Sequence, residues 1–177
     1  LKVSFSRDGF HWDRPYREAF IPATRVPGSW DRGYVQSVGG ICTVVGDQLR
    51  FYYIGFKGGD PSSYMHSNGA TGMAILRRDG FASMSTTGEG SLTTRPVTFT
   101  GKYLFVNVDC PSGELKVEIL DKNNKVIDDL SADKCKAVSI DSTIQQIEWN
   151  GSSDLSSLVG QEVKFRFKLK NGDLYAF

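Results

Sequence analysis

No stretch of this sequence approaches the ~20 consecutive apolar residues that a membrane-crossing helix needs. Cysteine is scarce. Cys42, Cys110 and Cys135 are spaced for neither a zinc motif nor a Cys-x-x-Cys pair, which removes those metal and redox classes. Cys110 and Cys135 are open to two readings, a bridge within the C-terminal half or two buried thiols. Histidine is scarcer still. His11 and His66 lack the partner carboxylates of a metal or triad site, so both read as surface residues. Charge of one sign is lacking too: 21 Lys and Arg oppose 20 Asp and Glu, a net charge of +1. That balance argues against nucleic acid as a bulk partner and against an anionic membrane surface. The densest basic run, Lys164, Arg166, Lys168 and Lys170, alternates along one strand face and reads as solvated. Leu1 opens inside an apparent strand, so no leader is there to read and the compartment stays open.

What is present points to β structure. Nineteen glycines, eleven phenylalanines and seven tyrosines are turn and strand formers. With 40% apolar and 23% charged residues, a packed core is attainable and disorder is not expected. The tetrapeptide Arg-Asp-Gly-Phe occurs at Arg7–Phe10 and again at Arg78–Phe81, each time after an alternating apolar run. Strand, Asp-Gly turn, strand is a hairpin signal, and its return marks a repeated unit. Asp8 and Asp79 are turn formers in this reading. The chain accordingly reads as the tail of something larger.

Residues 1–14 predict a hairpin, and Pro15, Pro22 and Pro27-Gly28 an irregular connection. Gly33–Val45 follows as an apolar strand, and Leu49–Phe56 as a dense aromatic strand buried on both faces. After a loop over 57–69 comes the strand Thr71–Arg77. The series is a four-stranded antiparallel meander with part of another before it, the pattern of a propeller blade, which needs neighbours to cover its faces. Ser85–Ser91 reads as a small-residue linker. Strands are then expected at Thr93–Phe99, Tyr103–Val108, Leu115–Leu120, Ala137–Ile140, Thr143–Trp149 and Glu162–Leu169, with a single helical turn over Ser152–Leu158. Clean alternation in two of them fits a two-sheet sandwich. The expected division is 1–84, propeller-like, and 85–177, sandwich.

These residues carry a resemblance. The hairpin Ser6-x-Asp8-Gly9-x-x-Trp12 resembles one common in β-propeller glycosidases. Pro27-Gly28-Ser29-Trp30-Asp31-x-Gly33 and Phe51-Tyr52-Tyr53-x-Gly55 are similar to a late blade of proteins related to glycoside hydrolase families 32 and 43. Leu76–Ser83, with Gly90-x-Leu92-Thr93-Thr94-Arg95-Pro96, looks like the junction into their C-terminal sandwich. Leu169-x-x-Gly172-Asp173-Leu174-Tyr175-Ala176-Phe177 looks like its end. The resemblance implies the final part of a five-bladed β-propeller (a partial blade plus one blade), followed by a lectin-like jelly-roll β-sandwich that braces it. It implies carbohydrate as partner, together with the rest of the propeller, and leans toward a secreted or periplasmic setting. Glycoside hydrolysis generally needs two carboxylates about 5–9.5 Å apart. In a propeller these come from different blades, so this chain alone is not expected to be catalytic. Whether the parent is an enzyme stays open.

Within that frame Asp31 is the candidate catalytic carboxylate, and Trp30, Arg32, Gln36 and Tyr53 are candidate substrate-binding residues. Each has a plainer reading. Trp30 either stacks on sugar or anchors packing between blades. Asp31 and Arg32 either line a funnel or pair and cap a turn. Gln36 and Tyr53 face the funnel, or Tyr53 is buried in the blade by alternation. Tyr103, Trp149 and Tyr175 are sugar-stacking candidates of the second half, with core or domain packing as the alternative. Asn150-Gly151-Ser152 matches an N-glycosylation acceptor. No metal or cofactor is expected. A lectin-like sandwich has room for one structural calcium, but Asp109, Asp121, Asp128, Asp129 and Asp141 do not form the spaced acidic loop of an EF-hand.

Overall fold

The computed structural model describes residues 1–59, 62 and 64–177, with Ile41 described by its backbone only. Asp60, Pro61 and Ser63, part of the expected 57–69 loop, lie outside the described residues. The fold is all-β, built of antiparallel sheets. Among the described residues no sheet closes, and no helix is long and apolar enough to cross a membrane. The chain divides into two compact units, Leu1–Arg78 and Asp79–Phe177.

The first unit opens with a short hairpin, β1 (Phe5–Ser6) and β2 (Trp12–Asp13). Asp8 builds its turn: one carboxylate oxygen accepts from the backbone N–H of Phe10 and His11 at 2.9 and 2.8 Å. The other meets His11 Nδ1 at 2.5 Å. These bonds, the backbone donor of His11 first, hold the Asp8 carboxyl well below the usual carboxylate range. The main sheet is three-stranded, in the order β3 (Tyr34–Val45), β4 (Gln48–Phe56), β5 (Gly69–Arg77). The expected four-stranded meander is thus a three-stranded sheet with a separate hairpin. Nor is Gly33–Val45 a straight strand. The pairing of β3 with β4 jumps from Ser37↔Tyr53 to Cys42↔Phe51, and Gly39 and Gly40 sit in that bulge at φ +58° and +72°. Two successive left-handed residues are what only glycine adopts without strain.

Alternation gives the sheet two unlike faces. Leu49, Phe51, Tyr53 and Gly55 lie on one, beside Gly72, Ala74 and Leu76 of β5. The chain preceding β3 covers this face, with Phe20 edge-on to Phe51 at 5.5 Å and Ile21 buried. The other face carries Tyr52, Met73 and Ile75, all exposed.

The second unit is a β-sandwich-like assembly of β6 (Met84–Thr93), β7 (Phe105–Asp109), β8 (Glu114–Leu120), β9 (Asp141–Gln146) and β10 (Lys164–Ala176). β10 organises it. β6 runs along one edge of β10. On the other edge, Lys164–Lys170 pairs with β8, and Asp173–Ala176 with β7. The change of partner falls at a register shift between Lys170 and Gly172. There the β7–β8 connection presses in so closely that a Cβ on Gly113 would stand 1.8 Å from the Lys170 carbonyl oxygen. One on Gly172 would stand 2.6 Å from Cys110 Cβ. A strand that serves two groups of partners turns a corner of this kind.

The core fills the second unit. Val106 and Val108 of β7, Leu115, Val117 and Ile119 of β8, and Phe167 of β10 are almost wholly enclosed. Trp149 closes the outer edge of β8, where its indole N–H donates to the Val117 carbonyl at 2.8 Å. Cys110 and Cys135 are buried free thiols, so of the two readings of this pair the structure has the thiols. Burial pushes the Cys135 thiol up. Cys110 donates to the Val138 carbonyl at 3.3 Å, and Cys135 accepts from the Val117 N–H at 3.3 Å.

Four expectations for this half change. Thr93–Phe99 is not a strand: Thr93 ends β6, and Val97 forms only an isolated bridge to Val163. Ser85–Ser91 is not a linker but most of β6, a strand held by its ladder to β10 and not by its own composition. Ala137–Ile140 forms only an isolated bridge, Val138 to Leu115. β10 does not stop at Leu169 but runs through a bulge to Ala176. The helical turn is found as Ser156–Leu158. The alternating basic run is an ion-paired face: Arg166 and Lys168 reach Glu118 at 2.8 and 3.0 Å, and Lys170 reaches Glu89 at 3.8 Å.

Candidate functional site

The segment leading into β3 lays Trp30 and Asp31 across the covered face of the first sheet. Glycine makes the approach possible. A Cβ on Gly55 would sit 2.3 Å from Trp30 Cζ3 and 2.7 Å from Asp31 Cβ, and one on Gly72 would sit 2.7 Å from Trp30 Cη2. The indole therefore lies on bare backbone of β4 and β5. It is flanked by Tyr53, whose ring centroid is 5.7 Å away at 37°. Trp30 is 40% exposed, so it presents aromatic surface outward while being held from beneath.

Asp31 is 3% exposed. Its Oδ2 accepts from the Thr24 hydroxyl at 3.0 Å and from the Thr24 N–H at 3.3 Å. That ties the irregular 22–30 segment down over the sheet. Its Oδ1 is enclosed and, among the described residues, finds no hydrogen-bond partner. A carboxylate oxygen in that position is costly unless a donor reaches it.

Of the five residues singled out from sequence, the structure brings Trp30, Asp31 and Tyr53 together. Arg32 is exposed and lines an open cavity of about 350 Å³ with Lys57, Gly58 and Tyr64. Gln36 pairs in register with Ile54, whereas Val35 pairs with Gly55. Gln36 therefore belongs to the opposite face from Trp30 and Tyr53, and is exposed there. His66, read as a plain surface residue, packs against Tyr34 and Phe56 at 5.0 and 5.5 Å. In the second unit Trp149 is core, Tyr175 is half-buried, and Tyr103, expected inside a strand, lies just before β7 and is 52% exposed. Among the described residues no group of three or more His, Cys, Asp or Glu is placed to hold a metal ion.

The role of Thr24 was not legible in the sequence. A threonine seven residues ahead of an aspartate carries no local signal, because the loop between them decides whether they meet. Gly55 and Gly72 had a signal of a kind: glycine inside a strand marks close approach of another group.

No protein-family model matches the chain, and neither the curated proteins nor the solved structures contain a match. The chemistry of the site therefore stands on its geometry. It offers a held, half-exposed indole for stacking against an apolar ring face, beside a buried carboxylate with one unsatisfied oxygen. It has one enclosed acid where glycoside hydrolysis uses a pair.

Proposed function

We propose that this chain is the C-terminal part of a glycosidase-like, carbohydrate-active protein. In this reading the first unit belongs to a β-propeller of the kind seen in glycoside hydrolase families 32 and 43. The second unit is a jelly-roll sandwich that braces it. The observation that carries the proposal is Trp30, seated on Gly55 and Gly72 with its outer surface exposed. A planar aromatic platform suits the apolar face of a sugar ring. The uncovered face of the first sheet also supports it. Tyr52, Met73 and Ile75 form the apolar surface that a blade turns toward its neighbour.

A single enclosed acid favours a second reading as well: glycan binding without hydrolysis, by a binding module or a non-catalytic interaction propeller. One experiment bears on both. Oligosaccharides are titrated into the chain while tryptophan fluorescence is followed. Saturable quenching that Trp30→Ala abolishes and Trp12→Ala preserves is the expected result. Quenching that survives Trp30→Ala, or none with any glycan, counts against a carbohydrate site in the first unit. Hydrolysis of the same glycans, lost in Asp31→Asn, separates an enzyme from a binder.

A further inference from the structure

A second place in the molecule has the make-up of a ligand site. The segment 136–140 and strand β9 follow one another in the chain, yet they join different neighbours. Val138 exchanges backbone hydrogen bonds with Leu115 at 2.8 and 3.0 Å, whereas β9 pairs with β7. They come together at one end, where the Lys136 N–H donates to the Glu148 carbonyl at 2.9 Å. Between that clasp and the turn at Ile140 the two segments splay. The slot left between them encloses about 260 Å³.

Its lining mixes two kinds of surface. Ala137, Val138 and Ile140 are apolar, and Lys136, Gln145 and Glu148 are polar. The Lys136 ammonium and the Glu148 carboxylate are 3.3 Å apart, with side chains 74% and 39% exposed. A pair this open contributes little to stability, so sharing it with a ligand costs little. Gln145 Nε2 donates to the Gln146 carbonyl at 2.8 Å, and Gln146 Nε2 to Ser153 Oγ at 2.8 Å. These bonds fix the orientation of both amides in advance, which reduces the entropy lost on binding.

We infer that this slot is a binding site for a single neutral sugar ring, contacting hydroxyls through Glu148, Lys136 and Gln145 and the apolar ring face through Ala137 and Ile140. The volume lies below the ~300–1,000 Å³ usual for drug-sized ligands, which suits one ring and is short for an extended peptide. This inference rests on the carbohydrate reading above, and places an additional contact on the second unit, where no aromatic platform is needed.

The test is a titration of the whole ¹⁵N-labelled chain with the methyl glycosides of glucose, galactose, mannose, xylose and N-acetylglucosamine, followed by amide shifts. Saturable shifts at residues 136–140 and 145–148 are expected with at least one of them. Glu148→Ala should weaken that binding about tenfold, the loss of one charge-assisted hydrogen bond, and Trp30→Ala should leave it unchanged. Lys136→Ala, at an exposed position, serves as the second variant and should weaken it in the same direction with a dispersed spectrum retained. Shifts confined to the surroundings of Trp30 would overturn the slot while leaving the carbohydrate reading standing. An absence of shifts anywhere would overturn both.

Discussion

Glu118 lies at the centre of the second unit's electrostatics although it is 4% exposed. Burial by itself would raise its carboxyl. The hydrogen bonds from Lys168 and Arg166, the Lys168 charge and a donor from the Ala132 backbone outweigh that, and hold it below its ordinary value. A carboxyl depressed in the folded state contributes stability above its unfolded value, about 4.3, and loses it as pH falls through the folded value. Glu118→Gln should therefore destabilise the protein by about 2 kcal/mol at pH 7. In urea denaturation the gap from the parent should narrow as pH drops below the ordinary carboxylate range. A gap that stays constant down to pH 2 would refute the assignment. Gly55 makes a steric prediction at the same scale. Gly55→Ala places a methyl 2.3 Å from the Trp30 ring, which must move. A loss of about 1–3 kcal/mol is expected, with a shift in tryptophan emission that Trp30→Phe removes. The sequence announced the alternating cations of β10 but not their acid, since Glu118 is 48 residues from Arg166 in the chain and meets it only through strand pairing.

At the scale of the element, strand interiors were the readable part. Leu49–Phe56 and Leu115–Leu120 lie within the strands found, because aromatic and branched residues bounded by turn formers make a local signal. Asp121–Lys125 is a turn for an equally local reason: Asp121 Oδ1 accepts from the N–H groups of Asn123 and Lys125 at 2.8 and 2.9 Å. β6 was not readable. Its Ser, Thr and Gly residues have the composition of a linker, and it is a strand because β10 offers it a ladder. The two copies of Arg-Asp-Gly-Phe part company for the same reason. The first turns a hairpin between β1 and β2. The second follows β5, and the strand after it pairs with β10. The corner of β10 gives a prediction about an element. Gly113→Ala drives a methyl into the Lys170 carbonyl oxygen, where backbone lies on both sides and no side chain can yield. A loss of about 3 kcal/mol or more is expected, measured by thermal denaturation. A stability within about 0.5 kcal/mol of the parent would show that the β7–β8 connection is not packed on β10 in solution.

For the whole molecule, the distribution of buried surface decides behaviour. Among the described residues, nearly all the enclosed apolar side chains belong to the second unit. The first contributes Ile21, Val35 and Leu49, and leaves Tyr52, Met73 and Ile75 in water. Hydrogen exchange should therefore be slowest in β8 and the first half of β10, and faster throughout β3–β5. Equal protection in the two units would contradict this order. Added glycan that slows exchange around Trp30 would join the stability of the first unit to the function proposed for it.

That this protein is all-β follows from local patterns in its amino-acid sequence. Period-two alternation, aromatic runs and Gly, Asn and Asp turn residues act over a few positions, so they can be read without the fold. The sequence also singled out Trp30, Asp31 and Tyr53 as candidates. Which candidates meet depends on the fold: Trp30 and Tyr53 share a face through the glycines of two strands, and Gln36, also a candidate, is turned away by a single step of alternation. Only the tertiary structure made β6 a strand, enclosed Asp31 under Thr24, and opened a slot between two consecutive segments. Each of these depends on a partner distant in sequence, and no local pattern records which partner the folded chain will supply.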